Sequence, residues 1–97
     1  MPPAKFKLVY SAAARADLER LDPDDAIQVV TDAATHLSDS PLPIGKTRLK
    51  RLSGFTPPLY RLRSGDFRAY YRIHGAEVVI LRVTDRKDAE KLLKRLR

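Results

Sequence analysis

The sequence contains no cysteine, no tryptophan and a single methionine. Without cysteine there is no disulfide, no thiolate metal ligand and no cysteine nucleophile, a composition that suits a reducing compartment. Long apolar runs are missing as well. "MPPAKFKLVY" (1–10) lacks the apolar core of a secretory signal, and no stretch is long and apolar enough to cross a bilayer. Histidine is scarce: His36 falls on a predicted helix and His74 in a predicted turn, where solvated or partly packed roles are expected. No metal-ligand cluster, Gly-rich phosphate loop or Ser/His/Asp arrangement is visible. A cytoplasmic protein with no cofactor and no membrane partner is the expectation.

Acid is also unevenly scarce. The chain carries a net charge of +7, but residues 1–45 sum to −3 while residues 46–97 hold fifteen basic and five acidic side chains, or +10. All the excess positive charge lies in the second half. That asymmetry points to a polyanionic partner, nucleic acid or an acidic protein.

At 97 residues and 43% hydrophobic, the chain is predicted to form one domain over 1–97 with an ordinary core. "KFKLVY" (5–10) reads as a short strand. Ser11 is placed to cap a helix over "AAARADLERL", and "DPDD" (22–25) sets Asp22 and Pro23 at the start of a second one. On that second helix Ile27, Val30, Ala34 and Leu37 form the predicted apolar stripe. "SDSPLPIG" (38–45) is a loop, "KTRLKRLSG" (46–54) a basic connector anchored by Leu49 and Leu52, and "FTPP" (55–58) a second break. Strands follow at 59–63, 67–73 and 77–84, joined by the glycine turns "SGD" and "HGAE". A helix over 86–96 closes the chain, with Leu92, Leu93 and Leu96 on its apolar side. The order β-α-α-β-β-β-α predicts an α+β fold, a small, mainly antiparallel sheet packed on an N-terminal helical hairpin.

Strand alternation sorts the side chains of "YRLRSGDFRAYYRI" (60–73). Phe67, Ala69, Tyr71 and Ile73 are predicted to face the helices. Arg61, Arg63, Arg68, Arg72 and Arg82 would share the open face, interleaved with Tyr70, and Arg86 would stand just past the last strand. On that last strand Val79, Leu81 and Val83 are predicted on one face, with Val78, Ile80 and Arg82 on the other. From 59 to 86 every Lys/Arg residue is arginine, although the chain has seven lysines. Guanidinium offers a planar, two-toothed donor for phosphate and stacks on bases, so arginine with tyrosine on an open sheet suits RNA.

These residues carry a resemblance. "YRLRSGDFRAYYRI", a short turn and "VVILRVTDRKD" resemble the RelE/ParE superfamily of type II toxin–antitoxin toxins, and the helical hairpin and basic connector fit the same plan. The resemblance implies a toxin that a cognate antitoxin neutralises in a hetero-oligomer. In the RelE-like branch it implies a metal-independent, ribosome-dependent endoribonuclease acting on mRNA by 2′-OH attack. By that resemblance Arg61 and Arg68 would clamp the scissile phosphate, and Arg86 would donate to the leaving group or act as a second clamp. Lys46, Lys50, Arg51, Arg63, Tyr70, Arg72 and Arg82 would bind RNA or phosphate. Lys46, Lys50 or Asp85 would be the base. The chain departs from the pattern at Leu59, where many members have a lysine, and in a C-terminal segment without an aromatic or histidine. Two other outcomes stay open: a ParE-like inhibitor of DNA gyrase with no chemistry of its own, and a weakened toxin acting mainly through its antitoxin.

Overall fold

The computed structural model describes residues 5–45 and 47–96. Among them the chain runs β1 (Lys7–Tyr10), α1 (Ala12–Glu19), α2 (Pro23–Leu37), β2 (Leu49–Leu52), β3 (Leu59–Ser64), β4 (Phe67–His74), β5 (Glu77–Asp85) and α3 (Ala89–Leu96). Ser11 makes the switch from strand to helix as predicted: its Oγ accepts from the Ala14 amide at 3.0 Å and donates to the Leu81 carbonyl at 2.8 Å. Asp22 and Pro23 open α2, although the Asp22 side chain makes no capping hydrogen bond.

The sheet order is β1-β5-β4-β3-β2, antiparallel throughout except for the parallel β1–β5 pair. The predicted order lacked β2, which forms inside the basic connector. Leu49 and Leu52 lie three residues apart, so a strand sends them to opposite faces and no alternation shows. Leu49 enters the core beneath the helical hairpin and Leu52 packs on the other side.

The sheet is covered on both faces. On one, Val29, Ala33 and Leu37 of α2 and Ala14 of α1 meet Leu62, Ala69, Tyr71, Val78 and Ile80. On the other, Leu92 of α3 packs with Leu59 and Tyr70, and Leu93 and Leu96 lie against them. The face predicted to be open is thus partly roofed by α3.

Two expected facings are corrected. The buried stripe of α2 is Val29–Ala33–Leu37, while Ile27 is 63% exposed and Val30 and Ala34 also face outward. Both stripes have helical spacing and share Leu37, and only the tilt of α2 on the sheet chooses between them. In β5 a bulge places Tyr70 opposite Arg82 but Tyr71 opposite Ile80, leaving Leu81 as the extra residue. The facing therefore switches within the strand: Val78, Ile80 and Val83 join the helical side, and Leu81 packs on the α3 side.

Candidate nucleic-acid interface

The site is built on the β3–β4 hairpin. Gly65 opens its two-residue turn with φ +57°, and a Cβ there would come within 2.5 Å of Gln28 Nε2. Gln28 is held in place, since its Nε2 donates to the Ser64 carbonyl at 3.0 Å and to Ser64 Oγ at 3.3 Å. Ser64 Oγ in turn donates to Asp32 Oδ2 at 2.6 Å. The turn is thereby pinned to α2, which fixes where the arginines on either side of it stand.

Register does the rest. Arg63 lies opposite Arg68, Arg61 opposite Tyr70, and Thr84 of β5 opposite Arg68. The Arg86 amide donates to the Asp66 carbonyl at 2.8 Å, which holds the residue after β5 beside the turn. Arg61, Arg63, Arg68 and Arg86 consequently gather around one end of the sheet. The Arg68 guanidinium is pushed below its ordinary value by burial first, then by the charges of Arg61, Arg63 and Arg86. Its Nη1 donates to the carbonyls of Gly65 at 3.0 Å and Phe67 at 2.9 Å. The Nε atoms of Arg61 and Arg72 are buried without a hydrogen-bond partner. Among the described residues the ion pairs involve Arg20 and Arg82, both with Asp17, and none reaches this cluster. Three guanidiniums press on the charge of Arg68 with no carboxylate paired to the cluster among the described residues, an arrangement whose chemistry an anion with several oxygens would complement.

Arg61, Arg63, Arg68 and Arg86 are thus brought together. Lys50, opposite Arg61, shares their face at the edge of the sheet. Arg72 is on that face too, opposite Val79 and four residues along β4 from Arg68. Other expectations change. Arg51 lies opposite Tyr60 and so belongs to the helical side. Tyr70 is 1% exposed beneath Leu92, so its ring has no free face on which a base could stack. Burial pushes the Tyr70 hydroxyl up, against the opposing pull of Arg61 and Arg68. Arg82 is consumed by Asp17: its Nε and Nη2 donate to the two carboxylate oxygens at 2.8 and 3.0 Å, which pushes its pKa up. Asp85 lies opposite Phe67, away from Arg68, and its Oδ1 accepts from the Asp88 amide. Lys46 falls outside the described residues.

Sequence reasoning overlooked Asp17 and Thr84. Asp17 is buried and also accepts from the Val83 amide at 2.9 Å, yet in "ARADLER" it looks like any solvated helix charge. Thr84 owes its place opposite Arg68 to the β4–β5 register, which the bulge shifts.

Comparisons with known proteins agree on the kind of molecule. A family model described as ParE toxin of type II toxin–antitoxin system, parDE, matches residues 8–90. Toxin RelG of Mycobacterium tuberculosis is 38% identical over 85 residues, 86% of this chain and 93% of that protein. The toxin–antitoxin complex RelBE2 from the same organism contains a chain with 34% identity and a TM-score of 0.70, covering 91% of this chain and 97% of that one. The archaeal RelE–RelB complex from Pyrococcus horikoshii OT3, 22% identical over 84% of this chain and 96% of that one, shares the fold with a TM-score of 0.69.

Proposed function

We propose ribosome-dependent cleavage of mRNA as the activity of this chain, which belongs to the RelE/ParE superfamily of type II toxin–antitoxin toxins. The observation that carries the reading is the cluster of Arg61, Arg63, Arg68 and Arg86, with which no carboxylate of the described residues forms an ion pair. Cleavage by the neighbouring 2′-OH forms an O2′–P bond and breaks the P–O5′ bond. The 2′-OH gives its proton to solvent water, the leaving O5′ gains one, and the phosphorane between them carries extra negative charge. Arg61 and Arg68 stabilise that charge, and donors placed for a developing oxyanion supply much of such a rate enhancement. Arg86, beside the turn, protonates O5′ or adds a second clamp. Lys50 extends the positive face toward the mRNA backbone, with Arg63 and Arg72 holding further phosphates. A cognate antitoxin covers the site, and the toxin acts in the cytoplasm when released.

A second reading, inhibition of DNA gyrase by binding alone, is favoured by the chemistry of the cluster. Guanidinium is a poor general base at neutral pH, and Asp85 is turned away from Arg68. Purified toxin added to programmed ribosomes and, separately, to gyrase supercoiling plasmid DNA distinguishes the two. New 5′ ends in the mRNA with normal supercoiling support the nuclease; inhibited supercoiling with intact mRNA overturns it.

A further inference from the structure

We propose that the cleft between α1 and α3, along the uncovered edge of β5, seats an acidic segment of the antitoxin that carries an apolar anchor. β1 ends at the pair Tyr10–Ile80, so among the described residues no strand pairs with residues 81–85 of β5 on that edge. Ser11 and Asp17 of α1 take up the first part of it, at the Leu81 carbonyl and the Val83 amide. Beyond them a cavity of about 360 Å³ opens, floored by Leu21, Val83 and Leu92 and rimmed by Arg20, Lys91 and Arg95.

The rim calls for carboxylates. Arg20 lies 3.6 Å from Asp17, whose oxygens are already held more closely by Arg82 and the Val83 amide, and its side chain is 75% exposed. Lys91 and Arg95 are one helical turn apart on α3, and both line the cavity without an acidic partner in ion-pairing contact among the described residues. The lining also argues for protein over RNA. Asp17, Asp85 and Asp88 are present among the basic groups, and closely spaced phosphates would meet them. A peptide can place its carboxylates at the rim, lay an aliphatic side chain on the leucines and valine, and run alongside a strand edge. The proposal rests on membership of the toxin–antitoxin family and is independent of the nuclease reading.

The test uses the purified toxin and its cognate antitoxin. Dissociation constants are measured for Arg20→Glu and for Lys91→Glu/Arg95→Glu, with Arg48→Glu, outside the cleft, matching the charge change of Arg20→Glu. The cleft variants are expected to bind at least tenfold more weakly, and Arg48→Glu within threefold of the parent. Thermal melts check folding, and Lys91→Ala/Arg95→Ala supplies a milder version whose expected loss is about half on a logarithmic scale. Unchanged affinity in folded cleft variants overturns the assignment while leaving the complex itself intact. Weaker ribosome-dependent cleavage with unchanged antitoxin affinity overturns it too, by giving the cleft to RNA. A parent toxin that does not bind this antitoxin contradicts the partner as well as the site.

Discussion

Arg63 and Arg68 stand directly opposite each other across the β3–β4 ladder, a like-charge pair at the end of a sheet. Such pairs destabilise strands, and here Arg61 and Arg86 add to the repulsion that Arg68 experiences. Positions that oppose one another without compensation are suited to an anion that the folded chain itself does not supply.

The first prediction concerns that stored repulsion. Sulfate should raise the midpoint of thermal unfolding more than chloride does at equal ionic strength. Sulfate also strengthens apolar burial in general, so the informative quantity is the difference between parent and variant. In Arg63→Gln the excess effect of sulfate should shrink, and in chloride the variant should melt a few degrees higher than the parent. Differential scanning calorimetry in the two salts measures both.

Asp17 should matter more than its surroundings in the sequence suggest. It is buried and receives Arg82 through two hydrogen bonds and the Val83 amide through a third. Removing it leaves an uncompensated guanidinium and an unpaired amide. Asp17→Ala should cost about 3–5 kcal/mol and Asp17→Asn somewhat less, read from urea unfolding midpoints. A loss under about 1 kcal/mol in both would contradict the role given to this carboxylate.

The buried tyrosines contribute to how stability changes at alkaline pH. Burial pushes the hydroxyls of Tyr10, Tyr70 and Tyr71 up, and Tyr71 also donates to the Pro41 carbonyl at 2.6 Å. A phenol whose folded pKa lies above its unfolded value contributes stability that is fully present below the unfolded value, near 10. That contribution is lost as pH rises toward the folded value. Unfolding free energy should therefore be insensitive to these groups at pH 8 and fall steeply above about pH 10. Tyr71→Phe should flatten the fall while costing about 1 kcal/mol at neutral pH for the lost hydrogen bond. Urea titrations across the alkaline range check the slope.

Much of the fold was legible because strong local signals agreed. Ser11, Asp22–Pro23 and the glycines at 65 and 75 punctuate the chain where helices and hairpins begin and turn. The misses arose where local pattern cannot see tertiary packing. Leu49 and Leu52 serve two different cores, so their strand shows no alternation. Ile27 and Val29 are both apolar and helical in spacing, and only docking of α2 buries Val29 to 1% exposure. Of the site, the shared face of Arg61, Arg63, Arg68 and Arg72 followed from alternation, while the pairing of Arg63 with Arg68 needed the register. Tyr70 and Arg82 did not follow, because the roof over Tyr70 comes from α3 and the acceptor for Arg82 lies 65 residues away on α1.

The most direct test of the central claim is the single-turnover rate at which ribosome-bound mRNA is cut by the parent toxin and by Arg68→Ala. Loss of one donor to a developing phosphorane predicts a fall of about 10²–10³-fold, with ribosome binding largely retained. A similar fall is expected for Arg86→Ala, and a smaller one for Lys50→Ala at the margin of the cluster. Cleavage at the parental rate in both Arg68→Ala and Arg86→Ala would contradict the account.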